Sequence, residues 1–433
     1  MIYLRWLKHR LIFFRRVIIS LYDGLIYQKK SQFLLHKYNA HRCPFEVILF
    51  YNTFGRVFFA LKEILALITK DKIFKKSITI DGLDKKIDYK KIYQKGGDGY
   101  LYPKSPMVNS DKVLINDEFY KKISQSFILA YRHDNDKDIT NEWERISGDF
   151  RDIFFDKSGN IKKENLENFR FDPNIYNKIF NNQYRYIERD ESYSKNYLFA
   201  IDLVLEYHRY AEKIDKEILA SISESQAGNH LSVNYRGKKL SEQLLQNLVV
   251  ANDIKNVPLS LERRNILLDI GVSFGGTNRI INYYHPNSTQ ILIDLPETLI
   301  LTAYYIKYNF PNKKIALLDD IYPYLDNFDN IIEKYDFIIV PPFILDYIKG
   351  KSIDLVMNST SLSFISKEYL NYYLKETDRV LKDGGYFYSL NTTQDNPWGI
   401  GSYNWDYQAN YLTVAYNFDN RFSYPQWLGR KVD

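Results

Sequence analysis

Beyond Pro258 the apolar residues gather into short continuous runs, separated by stretches with helical spacing. Runs at Ile266–Ile270, Gln290–Ile293, Lys314–Leu318, Asp336–Val340, Ile353–Met357 and Gly385–Leu390 predict strands. Helices are predicted after Gly275, after Pro296 and after Ser366, the last reaching about Lys382 with Gly384 as a left-handed cap. Alternating strands and helices predict a parallel α/β sheet, and right-handed crossovers bring its ligand-binding turns to one edge.

The pattern upstream is different. Residues 26–190 read as mainly helical, with apolar helical spacing at Glu46–Ile68 and Asp117–Tyr131. A run from Lys70 to Lys95 holds nine Lys and four Asp and reads as a solvated face, with a Gly96-Gly97-Asp98-Gly99 turn behind it. Ser105-Pro106 and Asp172-Pro173 are further breaks. Tyr197–Ile222 reads as one long helix, followed by a polar loop from Glu224 to His230 and a helix around Ser241–Ala251. The chain is therefore divided into a leader (1–22), a mainly helical region (23–192), a helical cap with a gate loop (193–262) and an α/β domain (263–433).

The 433 residues are 45% hydrophobic and 26% charged, a globular balance that excludes a disordered, collagenous or coiled-coil chain. Net charge is +6, but Arg5, Lys8, Arg10, Arg15 and Arg16 all precede the first acid, Asp23. The rest of the chain has 54 basic and 53 acidic residues, which argues against a nucleic-acid partner. On a helical projection of residues 1–20 most of these cations lie opposite an apolar, aromatic face, a pattern that suits an anionic membrane surface or docking on the chain's own domain. Arg15 and Arg16 interrupt the apolar core that a secretory signal needs, and no run of 18 apolar residues is present. With a lone Cys43 there is no internal disulfide and no cysteine-rich zinc module. The expected location is cytoplasmic, peripheral on the inner face of the membrane.

The first strand runs into Gly271-Val272-Ser273-Phe274-Gly275-Gly276. Glycines between a strand and a helix let the backbone approach a ligand closely. Gly271, Ser273 and Gly276 make a degraded dinucleotide fingerprint, with Ser for the middle Gly. Gly271, Ser273 and Gly275 make the shorter turn of S-adenosylmethionine enzymes. Asp294 ends the next strand, 23 residues past Gly271, where a carboxylate accepts hydrogen bonds from ribose hydroxyls under either reading. Asp269, two residues before Gly271, suits an acid that orients the turn or meets a cationic amino-acid end. The strand Ile353–Asn358, the helix after it and the Asp383-Gly384-Gly385 approach to the last strand resemble the back half of Rossmann-like methyltransferases.

Asp294-Leu295-Pro296-Glu297-Thr298-Leu299, the continuation to Asn309-Phe310-Pro311, and Asp354-Leu355-Val356-Met357-Asn358-Ser359-Thr360-Ser361 resemble the sugar O-methyltransferase family over roughly residues 193–433. The resemblance implies a Rossmann-like methyltransferase sheet with flanking helices, preceded by the mainly helical region. It also implies S-adenosylmethionine as cofactor and a sugar hydroxyl of a glycan or glycolipid precursor as acceptor. The expected cofactor residues are Asp269, Gly271, Ser273, Gly275, Asp294 and Leu295. His230 is the candidate base, with a surface or structural role as the alternative, and Asn358 is the second catalytic candidate, set to position the sugar hydroxyl or to cap a turn; Glu224, Asn229, Ser359 and Asn391 are candidates for holding the sugar. No metal site is assigned, because Asp319-Asp320 stand without a matching histidine or third acid. Trp398, Tyr403, Trp405 and Tyr407 suit either sugar stacking or the packing of a C-terminal lid. Two other classes stay open: a nicotinamide-dependent oxidoreductase using the same turn, and a non-catalytic glycan- or partner-binding member.

Overall fold

The computed structural model describes residues 78–80, 115–133, 141–180, 199–200, 203–204, 206–208, 210, 214, 216–235, 237–392, 395, 399–402, 405, 411–419 and 424–432. The leader, the Glu46–Ile68 spacing, Trp398, Tyr403 and Tyr407 lie outside them. No helix among the described residues is long and apolar enough to cross a membrane.

The first part is built from β1 (Ile78–Ile80), α1 (Asp117–His133), α2 (Asn141–Phe154), α3 (Lys163–Glu167), α4 (Pro173–Phe180), α5 (Lys216–Ser221), β2 (Val233–Tyr235), β3 (Lys238–Leu240) and α6 (Glu242–Lys255). Capping explains two of the helix starts. Asn116 Oδ1 accepts from Phe119 N at the start of α1, and Ser241 Oγ accepts from Leu244 N at the start of α6. One expectation is corrected here. The helix read as Tyr197–Ile222 is interrupted by a bend at Ile214 before α5. The lysine-rich run contains β1, which pairs antiparallel with β2 in a small three-stranded sheet; Ile78-Thr79-Ile80 is short and β-branched enough to pair despite its charged flanks.

The second part continues through β4 (Asn265–Ile270), α7 (Gly276–Tyr284), β5 (Ser288–Ile293), α8 (Pro296–Asn309), β6 (Ile315–Leu317), α9 (Leu318–Ile321), α10 (Asp329–Ile332), β7 (Phe337–Val340), β8 (Ile353–Ser359), α11 (Lys367–Val380), β9 (Leu381–Leu390), β10 (Tyr411–Asp419) and β11 (Tyr424–Lys431). The strands order as β10-β11-β9-β8-β4-β5-β7-β6. All pairs from β9 to β6 are parallel, and β11 and β10 extend the sheet antiparallel. From β4 the chain first moves outward to β5 and later returns to β8 on the other side. The carboxyl ends of β4 and β8 therefore flank the topological switch point, where such sheets open a crevice for ligands.

Side-chain alternation explains the two covered faces. Leu267 packs with α6 and α7, whereas Ile266, Leu268 and Ile270 pack on the opposite side with α11. α1, α2 and α8 share a further apolar cluster with Phe274, Leu292, Phe337 and Ile339. The mainly helical region is thus fastened to the sheet domain by burial of apolar surface.

One more correction concerns the end of the chain. α11 stops at Val380, and Leu381 already has extended backbone; Gly384, with φ of 75°, lies inside β9 rather than capping the helix. The register between β8 and β9 shifts beside it, so the glycine serves a strand irregularity. Of the tail aromatics, Trp405 is core: it is 1% exposed and its Nε1 donates to Ile400 O, and β10 and β11 pair antiparallel beyond it. Trp427 of β11 is buried in the same cluster.

Candidate active site

The turn after β4 is bent by three residues with positive φ: Gly271 at 81°, Ser273 at 56° and Gly275 at 88°. A Cβ on Gly271 would lie 2.0 Å from Ser361 Oγ and 2.4 Å from Ser361 Cβ, so only glycine fits there. Gly275 is the N-cap of α7, and a Cβ there would meet Ile306 of α8 at 3.2 Å. Ser273 stands where the fingerprint has its middle glycine, yet it keeps the glycine-type conformation and is exposed. Its neighbours hold it: Ser273 N donates to Asp294 Oδ2 at 2.7 Å, and Thr302 Oγ1 donates to Ser273 O.

Asp294 sits half-buried at the end of β5, and its other oxygen accepts from Leu295 N at 2.7 Å. Asp269 is buried in β4 and accepts from Asn278 Nδ2 of α7 at 2.9 Å. Burial raises both carboxyl groups. Asp269 reaches about 7, because the Asn278 bond offsets desolvation only partly and the Asp294 charge adds to it. Asp294 reaches about 6 in spite of its two backbone hydrogen bonds. The turn is therefore lined by two acids poised to ionise near neutrality, a strongly perturbed pair of the kind that marks functional sites.

Asn358 and Asn391 take a different part from the one expected. Asn358 is 0% exposed; its Nδ2 donates to Ile270 O and Ser361 Oγ, and its Oδ1 accepts from Asn391 Nδ2 at 2.8 Å and from Leu362 N. Asn391 in turn accepts from Ser363 N and Oγ and donates to Ser389 Oγ. These amides have spent their hydrogen-bonding capacity on the protein, tying the ends of β4, β8 and β9 together, so neither is free to hold an acceptor. Asn358→Ala leaves Ile270 O and Asn391 Nδ2 without these bonds and is expected to lower stability by about 2–4 kcal/mol. A denaturant-unfolding series measures the loss.

Glu224 is likewise committed, paired bidentately with the buried Arg170 (3.1 Å from Nη1 and from Nη2) and accepting from Ser241 Oγ. Burial alone would raise Glu224, but the Arg170 charge and hydrogen bond, together with the nearby His230 and Arg279, outweigh it and hold the carboxyl at about 2. His230 is 5% exposed, and burial with the nearby Arg170 charge lowers it to about 3. Its imidazole is thus neutral and a poor proton acceptor, contrary to the base role expected from its sequence position. Asn229 has φ of 57° and donates from Nδ2 to Asn168 Oδ1. Ser359 is the half-buried last residue of β8. Asp319 accepts from Ser126 Oγ of α1, Asp320 pairs with Lys122, and no group that could hold a metal occurs among the described residues.

Sequence reasoning missed Arg170, Gln243, Asn278, Thr302 and Ser361. Ser361 ends the quoted Asp354–Ser361 segment; Arg170 carries no local signal, since its partners are 54 and 73 residues away.

No family model matches the chain and no curated protein matches it. Similar solved structures include an O-methyltransferase family protein from Burkholderia thailandensis, 12% identical with a TM-score of 0.31 over 44% of this chain and 57% of that one. An O-methyltransferase family 2 protein from Planctomyces limnophilus in complex with apigenin is 13% identical with a TM-score of 0.30, over 44% and 62%. The CurJ carbon methyltransferase is 12% identical with a TM-score of 0.31, over 72% and 71%. The chain spans less than two thirds of the length of the first two.

Proposed function

We propose that the chain is an S-adenosylmethionine-dependent O-methyltransferase whose acceptor is a sugar hydroxyl of a glycan or glycolipid precursor. The observation that carries the reading is the pair of coupled acids, Asp269 and Asp294, at the glycine-rich turn. Asp294 would serve the ribose of either cofactor, but the negative charge of Asp269 beside it favours a cationic sulfonium ligand over the diphosphate of a nicotinamide cofactor, which needs uncompensated backbone donors. The side chain of Ser273 also stands where a pyrophosphate needs the closest backbone approach.

In this reading Asp294 accepts from the ribose hydroxyls through the lone pairs that Ser273 N and Leu295 N leave open. Gly271 and Gly275 give room for close approach, Asp269 stabilises the cationic end, and Leu295 lies against the nucleoside. When bound, the cofactor would supply an electrophilic methyl group, its S–CH3 bond breaking as the acceptor O–CH3 bond forms, with the thioether leaving and the hydroxyl proton passing to water. The chain contributes orientation and charge, with Ser359 at the switch point as the group left for the acceptor. The sugar itself rests on the resemblance carried by Asp294–Leu299 and Asp354–Ser361.

Calorimetry with S-adenosylmethionine and with NADH tests the cofactor. Binding of the first and not the second is expected, and the reverse pattern sinks the proposal. Mass spectrometry of sugar nucleotides and lipid-linked sugars incubated with protein and cofactor then reads the acceptor as a gain of one methyl group.

A further inference from the structure

Arg170 belongs to the region upstream of the sheet domain, yet its side chain is 0% exposed and reaches four different segments. Nε and Nη2 donate to Gln243 Oε1 of α6 at 3.1 and 2.7 Å. The guanidinium pairs with Glu224 at 3.1 Å and meets Ser225 O and Ala227 O at 3.4 and 3.5 Å. Its Cζ lies 5.2 Å from the centroid of Phe274, in the glycine-rich turn, and 5.9 Å from that of Tyr305 on α8. The backbone adds to this: Arg170 N donates to Gly228 O at 3.0 Å, and a Cβ on Gly228 would lie 2.5 Å from Phe169. From the other side, Arg279 of α7 donates to Ser223 O at 3.0 Å.

We propose that Arg170 is a positioning residue for the cofactor turn. It clamps the 224–230 loop with its planar fork and seats Phe274 under its guanidinium, so the segment before the sheet domain sets the geometry of residues 271–275. The inference rests on the methyltransferase reading and extends it to a residue that touches neither cofactor nor acceptor. A guanidinium is suited to this because a single rigid group satisfies Gln243, Glu224 and two carbonyls at once; an ammonium of the same charge has no such fork.

The test separates position from stability. Arg170→Met alone strands the buried Glu224 charge and is expected to destabilise the fold. The double variant Arg170→Met with Glu224→Gln removes both charges and is expected to melt above the single variant, though below the wild type because Gln243 Oε1 and two carbonyls lose their donor. Its dissociation constant for S-adenosylmethionine should still rise about 10-fold, since the loop and Phe274 have lost their anchor. Arg170→Lys, which keeps the charge, should fold and lose several-fold in affinity. Wild-type affinity in a folded double variant or in the lysine variant overturns the inference, so a double variant that fails to fold leaves the lysine variant to decide. Absence of S-adenosylmethionine binding by the wild-type protein overturns the methyltransferase reading instead.

Discussion

Asp294→Ala is expected to weaken S-adenosylmethionine binding at least about 100-fold, because two charge-assisted hydrogen bonds to a ribose contribute roughly 1.5–3 kcal/mol each. The effect has a second source in the protein itself. Asp294 holds Ser273 N and Leu295 N, and Ser273 keeps a positive φ that a non-glycine residue adopts only under constraint. The alanine variant therefore loses the ribose acceptor and the tie that shapes the turn. Titration calorimetry at a temperature well below the melting transition measures the first; retention of wild-type affinity refutes the site. Asp294→Asn helps to divide the two contributions, because its one carbonyl oxygen can still accept from Ser273 N.

Asp269→Asn is expected to raise stability at pH 8 while lowering cofactor affinity. Asp269 has a folded pKa of about 7, above its unfolded value near 3.9, so the folded state binds more protons in the interval between them. Its stabilising contribution is fully present below about pH 4 and is lost as pH rises through about 7. At pH 8 the wild-type protein thus carries a buried charge that the asparagine variant lacks, a difference of about 2–4 kcal/mol. At pH 4 the two proteins should differ little. Denaturant unfolding at both pH values measures the contrast, and an equal stability difference at both would show that Asp269 does not titrate as described. Binding of a cation favours the ionised forms of Asp269 and Asp294, so S-adenosylmethionine should bind more tightly at pH 7.5 than at pH 5.5 and release protons on binding. Calorimetry in buffers of different ionisation enthalpy counts those protons. The variant illustrates a common trade-off, in which a site built for its ligand costs stability without it.

The local grammar of the α/β domain was legible in the residues. All six strands read from short apolar runs occur, with edges moved by at most a few residues, because a strand buried on both faces needs a continuous apolar run. The glycine-rich turn and Asp294 were equally legible, since backbone curvature and the end of a strand are set by neighbours in the chain. Gly384 was harder: left-handed φ was foreseen, but helix cap and strand irregularity share that conformation, and only the pairing of β8 with β9 distinguishes them. Of the tail aromatics only Trp405 lies among the described residues, and it packs in the core rather than standing open to a sugar; β10 and β11 beyond it were not read, because the pairing of β11 with β9 supplies what propensity lacks.

What the sequence by itself determined is the framework: an α/β sheet after Pro258, a glycine-rich turn at Gly271–Gly275 and an acid, Asp294, at the end of the neighbouring strand. Only the tertiary structure decided which polar residues are free. Asn358, Asn391 and Glu224 have the side chains of ligand-binding residues, yet their capacity is consumed by Ile270, Ser363, Arg170 and Ser241, from segments distant in the chain. His230 loses its basicity to burial that no local pattern encodes. The physical reason is common to all four: a backbone turn is a property of neighbouring residues, whereas desolvation and hydrogen-bond satisfaction belong to the whole packed fold.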